Sequence, residues 1–177
     1  AGFGSLRRFN DLFKKQYNLT PTALRKHMSE ERKRNGNITL ALGYRPPYHW
    51  EDMLSFFAGR AIAGVEVIKD GEYMRTVQVE DAGGTQIYGW VRVGHNQKKN
   101  ALRVTVSETL LPVLSQVLAR IRHLFDLYCD PNAVYETLHA MNDIRPGLCT
   151  LGFRVPGCFS AFEMAVRAVL GQQISVK

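Results

Sequence analysis

Three groups of side chains in this 177-residue sequence have types and spacings that could do chemistry. The first is Phe56. On a helix that begins at Trp50, 3.6 residues per turn put Met53, Leu54, Phe57 and Ala61 near the Trp50 direction, whereas Phe56 lies about 120° away on the side of Asp52 and Gly59. A large aromatic off the core stripe needs another surface. It either packs on a following domain or forms a wall on which a flat base stacks, and a cleft between domains makes both true. The second group is Gln172 and Gln173, adjacent amides able to hydrogen-bond to base edges. The third is the run Arg7, Arg8, Asn10, Lys14 and Lys15 behind Ser5, a helical N-cap, with Leu6, Phe9 and Phe13 as an apolar stripe. Basic side chains spread over the remaining faces suit a phosphate backbone or a solvated helix surface.

Other chemistry is disfavoured. Cys129, Cys149 and Cys158 are an odd number without a C-x-x-C, which fits reduced thiols in a cytoplasmic protein better than a disulfide framework. None of the five histidines sits at ligand spacing with another His or a Cys, so no metal site and no cofactor are expected. No apolar run approaches the roughly 20 residues of a membrane helix.

The elements that must position these residues read as α+β. Ile38–Leu42 is a short β-like run broken by Pro46-Pro47, and a helix follows from about Trp50 to Ala61. Val65–Lys69 joins Glu72–Val79 through Asp70-Gly71, a two-residue hairpin signal. Gly83-Gly84 turns into Gln86–Val93, and the polar stretch from His95 to Asn100 turns into Leu102–Val106. In the last strand Leu102, Val104 and Val106 face one way, Arg103 and Thr105 the other. Turn-linked strands of period 2 predict an antiparallel sheet with one covered face. The expected cover is a helix from Pro112 to Tyr128 with the stripe Val113, Val117, Leu118, Ile121, Leu124 and Phe125. Asp130-Pro131 starts another helix with a cap and a proline at its first position, as does Thr20-Pro21. The last helix is expected to begin at Ser160, in an S-x-x-E capping box with Glu163. It carries an apolar stripe of Phe162, Ala165, Val166 and Val169, pairs Glu163 with Arg167 on its wet face, and ends at Gly171.

Charge divides the chain. Residues 1–37 hold nine basic and three acidic side chains, +6 of the total +7. The basic balance therefore belongs to the leading segment, as an electrostatic footprint for DNA would require.

Three strings carry a family resemblance. Leu151-Gly152-Phe153-Arg154-Val155-Pro156-Gly157-Cys158, then Ala161-Phe162-Glu163 and Arg167-Ala168-Val169-Leu170-Gly171-Gln172-Gln173-Ile174-Ser175, resembles the start of the helix-hairpin-helix domain of the 3-methyladenine DNA glycosylase II family. Pro46-Pro47-Tyr48-His49-Trp50, with Met53 to Ala61, resembles the start of the same family's N-terminal domain. Leu124-Phe125-Asp126-Leu127 with Cys129-Asp130-Pro131 falls between them in the expected order. Residues 1–36 are different. Gly2 to Asn10, Phe13-Lys14-Lys15 and Leu19 to Arg25 resemble the last half of an AraC-type helix-turn-helix domain.

The resemblance implies an antiparallel sheet covered by two helices, TATA-binding-protein-like, over residues 37–129. Before it comes a helical arm and basic linker (1–36). After it come a connecting helix and the truncated start of an all-α domain (130–177). It also implies excision of alkylated bases from double-stranded DNA, which requires turning the nucleotide out of the stack. An N-alkylated purine is a cation, so an electron-rich aromatic face attracts it. By resemblance Phe56 and Gln172 line the base pocket, Gln173 is the wedge into the duplex, and Ser5, Arg7, Arg8, Asn10, Lys14 and Lys15 belong to the helix-turn-helix remnant. The family's catalytic Asp and hairpin are expected downstream of Lys177, so no catalytic residue is assigned and the chain by itself is expected to be inactive. Two alternatives stand beside this: an AraC-type regulator whose sheet domain only senses or binds, and a passive interaction domain.

Overall fold

In the computed structural model the described residues are 5–17, 20–23, 26 and 36–173, without the side chains of 9, 12, 13, 15–17 and 173. Helix α1 (Leu6–Tyr17) lies beside strand β1 (Asn37–Gly43). Helix α2 (Trp50–Ala58) follows, then β2 (Glu66–Lys69), β3 (Glu72–Glu80), β4 (Gln86–Asn96) and β5 (Ala101–Ser107). A 3₁₀ segment, Glu108–Val113, leads into α3 (Leu114–Leu124). After it come α4 (Pro131–Leu138), the short α5 (Met141–Ile144) and α6 (Ala161–Gln173). The fold is α+β, an antiparallel sheet covered on one face by two helices.

The five strands run in the order β1-β5-β4-β3-β2, all neighbours antiparallel. Asp70-Gly71 makes the two-residue hairpin between Lys69 and Glu72, with φ of 53° and 71°. Positive φ at both positions is the twist that such a turn needs, and glycine adopts it without strain. Register decides what the covered face presents. One row reads Leu40, Val104, Val93, Tyr73 and Ile68; the next reads Ile38, Val106, Val91, Arg75 and Glu66. The second row thus passes from core aliphatics into an ion pair at the β3–β2 edge. Against these rows pack Trp50, Met53, Leu54 and Phe57 of α2, and Val117, Leu118 and Ile121 of α3, all buried. Each such side chain contributes about 1.5–3 kcal/mol relative to exposure.

Three helix limits differ from the sequence expectation. Helix α2 stops at Ala58, because the chain turns at Gly59 and Arg60, whose N–H reaches back only to the Phe57 carbonyl (3.1 Å). The second covering helix does not run from Pro112 to Tyr128. Pro112 sits in the 3₁₀ segment, and the α-helix ends at Leu124, with Phe125 as its cap and Asp126 at φ 50°. There Leu127 N–H donates to Arg122 O and Asp126 N–H to His123 O, a left-handed cap made with aspartate. The last helix continues through Gly171 to Gln173 instead of turning at the glycine. Asp130 caps α4 as expected, accepting from Asn132 N–H (3.2 Å) and Ala133 N–H (3.4 Å). No described helix is long and apolar enough to cross a membrane.

Candidate functional site

Phe56 stands where the spacing puts it, off the buried stripe of α2 and 37% exposed. Its ring meets Phe57 edge-on, centroids 5.7 Å apart, so the core side of α2 buttresses it. It separates two hollows. A groove of about 470 Å³ lies between α2 and α6, with Phe56, Phe57, Arg60, Met164, Arg167 and Gly171 among its walls. A smaller one of about 140 Å³ is lined by His49, Asp52, Met53, Phe153 and Pro156 on the other side.

The strap between α5 and α6 closes both hollows, and two side chains tie it down. Buried Arg154 donates to Cys129 O (2.9 Å), Asp126 O (3.4 Å), Pro47 O (3.3 Å) and Arg45 O, with its guanidinium 5.1 Å from the Tyr48 ring centre. Backbone carbonyls thus replace the water its charge loses on burial. His49 bonds Leu151 O through Nε2 (2.9 Å), faces Asp52 Oδ2 through Nδ1 (3.2 Å) and stacks on Phe153. Gly157 N–H then donates to Leu124 O (2.9 Å), at a point so tight that a Cβ would lie 2.4 Å from His123 O.

Helix α6 docks through charge. Ser160 Oγ accepts Glu163 N–H (3.3 Å), half of the expected capping box. The Glu163 carboxylate turns away from its cap to Arg75 Nη2 (2.7 Å) and Arg167 Nη2 (2.6 Å). Arg167 continues to Glu66 (2.8 Å), and Arg75 returns to Glu66 (3.4 Å), closing a ring of two carboxylates and two guanidiniums. Tyr73 Oη donates to Glu66 Oε1 (2.6 Å). Burial works to raise the Glu66 carboxyl, but the bonds from Arg167 and Tyr73 and the charges of Arg167 and Arg75 outweigh it and hold it below the usual value. Burial likewise opposes charge on Arg167, yet Glu66 and Glu163 hold it above its ordinary value, so the Glu66–Arg167 pair stays ionised.

The 163–167 pair was expected on the wet face; it is turned inward because Arg75 and Glu66 wait on the sheet. The apolar stripe is turned outward in consequence, with Phe162 80%, Val166 42% and Val169 64% exposed.

Gln172 is exposed and lies one residue past Gly171, outside the residues that line the groove with Phe56. The Gln173 side chain lies outside the described residues, as does that of Lys15. Ser5 Oγ accepts Arg8 N–H (3.4 Å) as a cap, and Arg7, Arg8, Asn10 and Lys14 are exposed on α1. Thr20 Oγ1 accepts Ala23 N–H (3.1 Å), the cap expected before Pro21. Among the described residues no three His, Cys, Asp or Glu side chains converge as a metal ion would need.

Sequence reasoning missed Arg60, Arg75 and Arg154. For Arg75 a signal existed: it alternates with Tyr73 and Val77 in the inward register of β3, and a charge there demands a partner. Arg60 holds its guanidinium 4.0 Å from the centre of the Phe56 ring.

Residues 39–160 match the family described as AlkA N-terminal domain. DNA-3-methyladenine glycosylase 2 of Escherichia coli (strain K12) is 39% identical over 135 residues, 76% of this chain and 44% of that protein. A probable bifunctional transcriptional activator/DNA repair enzyme AlkA of Mycobacterium tuberculosis (strain ATCC 25618 / H37Rv) is 34% identical over 182 residues, 100% of this chain and 35% of that protein. The chain therefore spans less than half the length of these curated relatives.

Proposed function

The chain belongs to the AlkA N-terminal domain family, and from that premise we propose that it is the sheet-bearing lobe of a DNA glycosylase that hydrolyses the N-glycosidic bond of alkylated purines. The observation that carries this is Phe56, an aromatic held off its own core at the mouth of a groove between α2 and α6. A base turned out of the duplex is cationic when N-alkylated, and stacking on such a face gains about 0.5–2 kcal/mol depending on how far water is excluded. In this reading Gln172, exposed one residue beyond the groove wall at Gly171, serves the base pocket from the end of α6, and Gln173 is the wedge into the duplex. The outward apolar face of α6 supports a second packed unit over it, the helix-hairpin-helix domain that begins within residues 130–177.

The lobe alone is inactive in this reading. The carboxylates among the described residues lining the groove are Glu66 and Glu163, and both are saturated by Arg75 and Arg167. Neither is free to stabilise an oxocarbenium-like sugar. A catalytic Asp from the second unit supplies that charge.

Residues 1–36 are the tail of an AraC-type module. The second relative matches across them, and its name joins transcriptional activation to repair. Arg7, Arg8, Asn10 and Lys14 on α1 then meet DNA, and the protein works in the cytoplasm without a cofactor. The test is release of methylated bases from alkylated duplex DNA, by the gene product that contains this sequence and by this chain alone. Release by the first and none by the second is expected. Release by neither leaves the sheet as a sensor in a regulator; release by the chain alone refutes the argument from the saturated carboxylates.

A further inference from the structure

The groove holds three cations, Arg60, Arg75 and Arg167, and two anions, Glu66 and Glu163. Arg75 and Arg167 are each held by both carboxylates. Arg60 has no ion-pair partner among the described residues. Its guanidinium instead lies over the Phe56 ring at 4.0 Å, with Nη1 3.4 Å from the Phe56 carbonyl.

Arg60 and Phe56 line the larger groove together, Arg60 does not line the smaller hollow, and the guanidinium forms a layer over the ring. A stacked base needs that same layer. We propose that Arg60 is a self-ligand of the Phe56 face, and that any base stacking there has to displace it. This rests on the glycosylase reading above.

The contact is built to let go. The backbone of Arg60 is pinned at both ends: its N–H donates to Phe57 O (3.1 Å), and its carbonyl accepts from Arg167 Nη1 (3.1 Å). The ion ring thus holds the end of α2, while Arg60 itself is exposed to solvent. At an exposed site a cation–π contact is weak enough that its loss costs about a two- to five-fold factor in binding. A cationic base meets the same electron-rich face with its whole ring, and takes over the attraction that the guanidinium gives up. Between substrates the guanidinium keeps the aromatic from standing bare.

Two experiments test this. In the gene product containing this sequence, Arg60→Ala is expected to lower KM for release of N7-methylguanine from duplex DNA by about two- to five-fold relative to its Kd for undamaged duplex. In a Phe56→Leu background the same substitution is expected to give no gain. A KM that rises in step with the Kd for undamaged DNA makes Arg60 a phosphate contact and overturns the proposal; so does an unchanged KM, or a gain that persists without the aromatic ring. The second experiment needs no enzyme activity. In the NMR spectrum of this chain, the Arg60 Nε–H signal is expected to be ring-current shifted, and to return to the solvent-exposed position in Phe56→Leu. A signal already at that position in the unsubstituted chain overturns the proposal. Failure of base release with a shifted Arg60 signal would count against the glycosylase reading alone.

Discussion

Replacing Glu66 by Gln probes the ring that docks α6. The Glu66 side chain is 7% exposed and that of Arg75 4%. Breaking a fully buried pair from one side costs about 3–5 kcal/mol, because the partner is left charged and dry. Two features reduce that here. Glu163 remains to hold both guanidiniums, and the new amide keeps an oxygen for Tyr73 or Arg167. A loss of about 2–3 kcal/mol is expected, or roughly 5–10 °C in Tm for a domain of this size. Urea unfolding at pH 7 measures it, through a lower midpoint at unchanged slope.

The pH dependence carries the sign. The folded-state pKa of Glu66 lies below its unfolded value, so its contribution is full above about pH 4.3, the ordinary glutamate value, and fades as pH falls through the folded pKa. The unsubstituted chain should therefore converge on Glu66→Gln in acid. A difference under about 0.5 kcal/mol at neutral pH, the scale of a surface pair, would refute the buried-ring reasoning. So would a gap that stays undiminished in acid.

Two further substitutions test the packing that places the groove. Leu118→Ala removes a side chain 2% exposed where α3 meets the sheet, and should cost about 2–5 kcal/mol in the same unfolding experiment. Gly157→Ala puts a methyl 2.4 Å from the His123 carbonyl and should destabilise by about 1–3 kcal/mol, with proteolysis concentrating in the strap from 145 to 160 as it lifts from α3.

Much of the sheet was legible because its signals are local. Asp70-Gly71 names its own turn, and Leu102, Val104 and Val106 name their own face. Phe56 was legible as well, since the helical period alone sets it off the stripe of Trp50, Met53 and Phe57. What escaped the sequence was non-local. The sheet register sets Arg75 opposite Glu66, and only that pairing explains why Glu163 and Arg167 turn inward and leave Phe162 and Val169 in solvent. The cap at Asp126 was hidden because a non-glycine residue takes the left-handed position, and Gly171 misled because a glycine inside a continuous helix has the same letter as one that ends it. Arg154 bonds carbonyls from two distant segments, Arg45–Pro47 and Asp126–Cys129, which no spacing rule encodes.

Phe56 is, in this reading, the surface on which an extruded base stacks. Phe56→Ala in the gene product, assayed for kcat/KM of methylated-base release, tests that most directly. Stacking a base on an aromatic contributes about 1–3 kcal/mol, so a fall of about five- to 150-fold is expected, with unfolding of this chain shifted far less than by Leu118→Ala. An unchanged kcat/KM in a folded protein would contradict it.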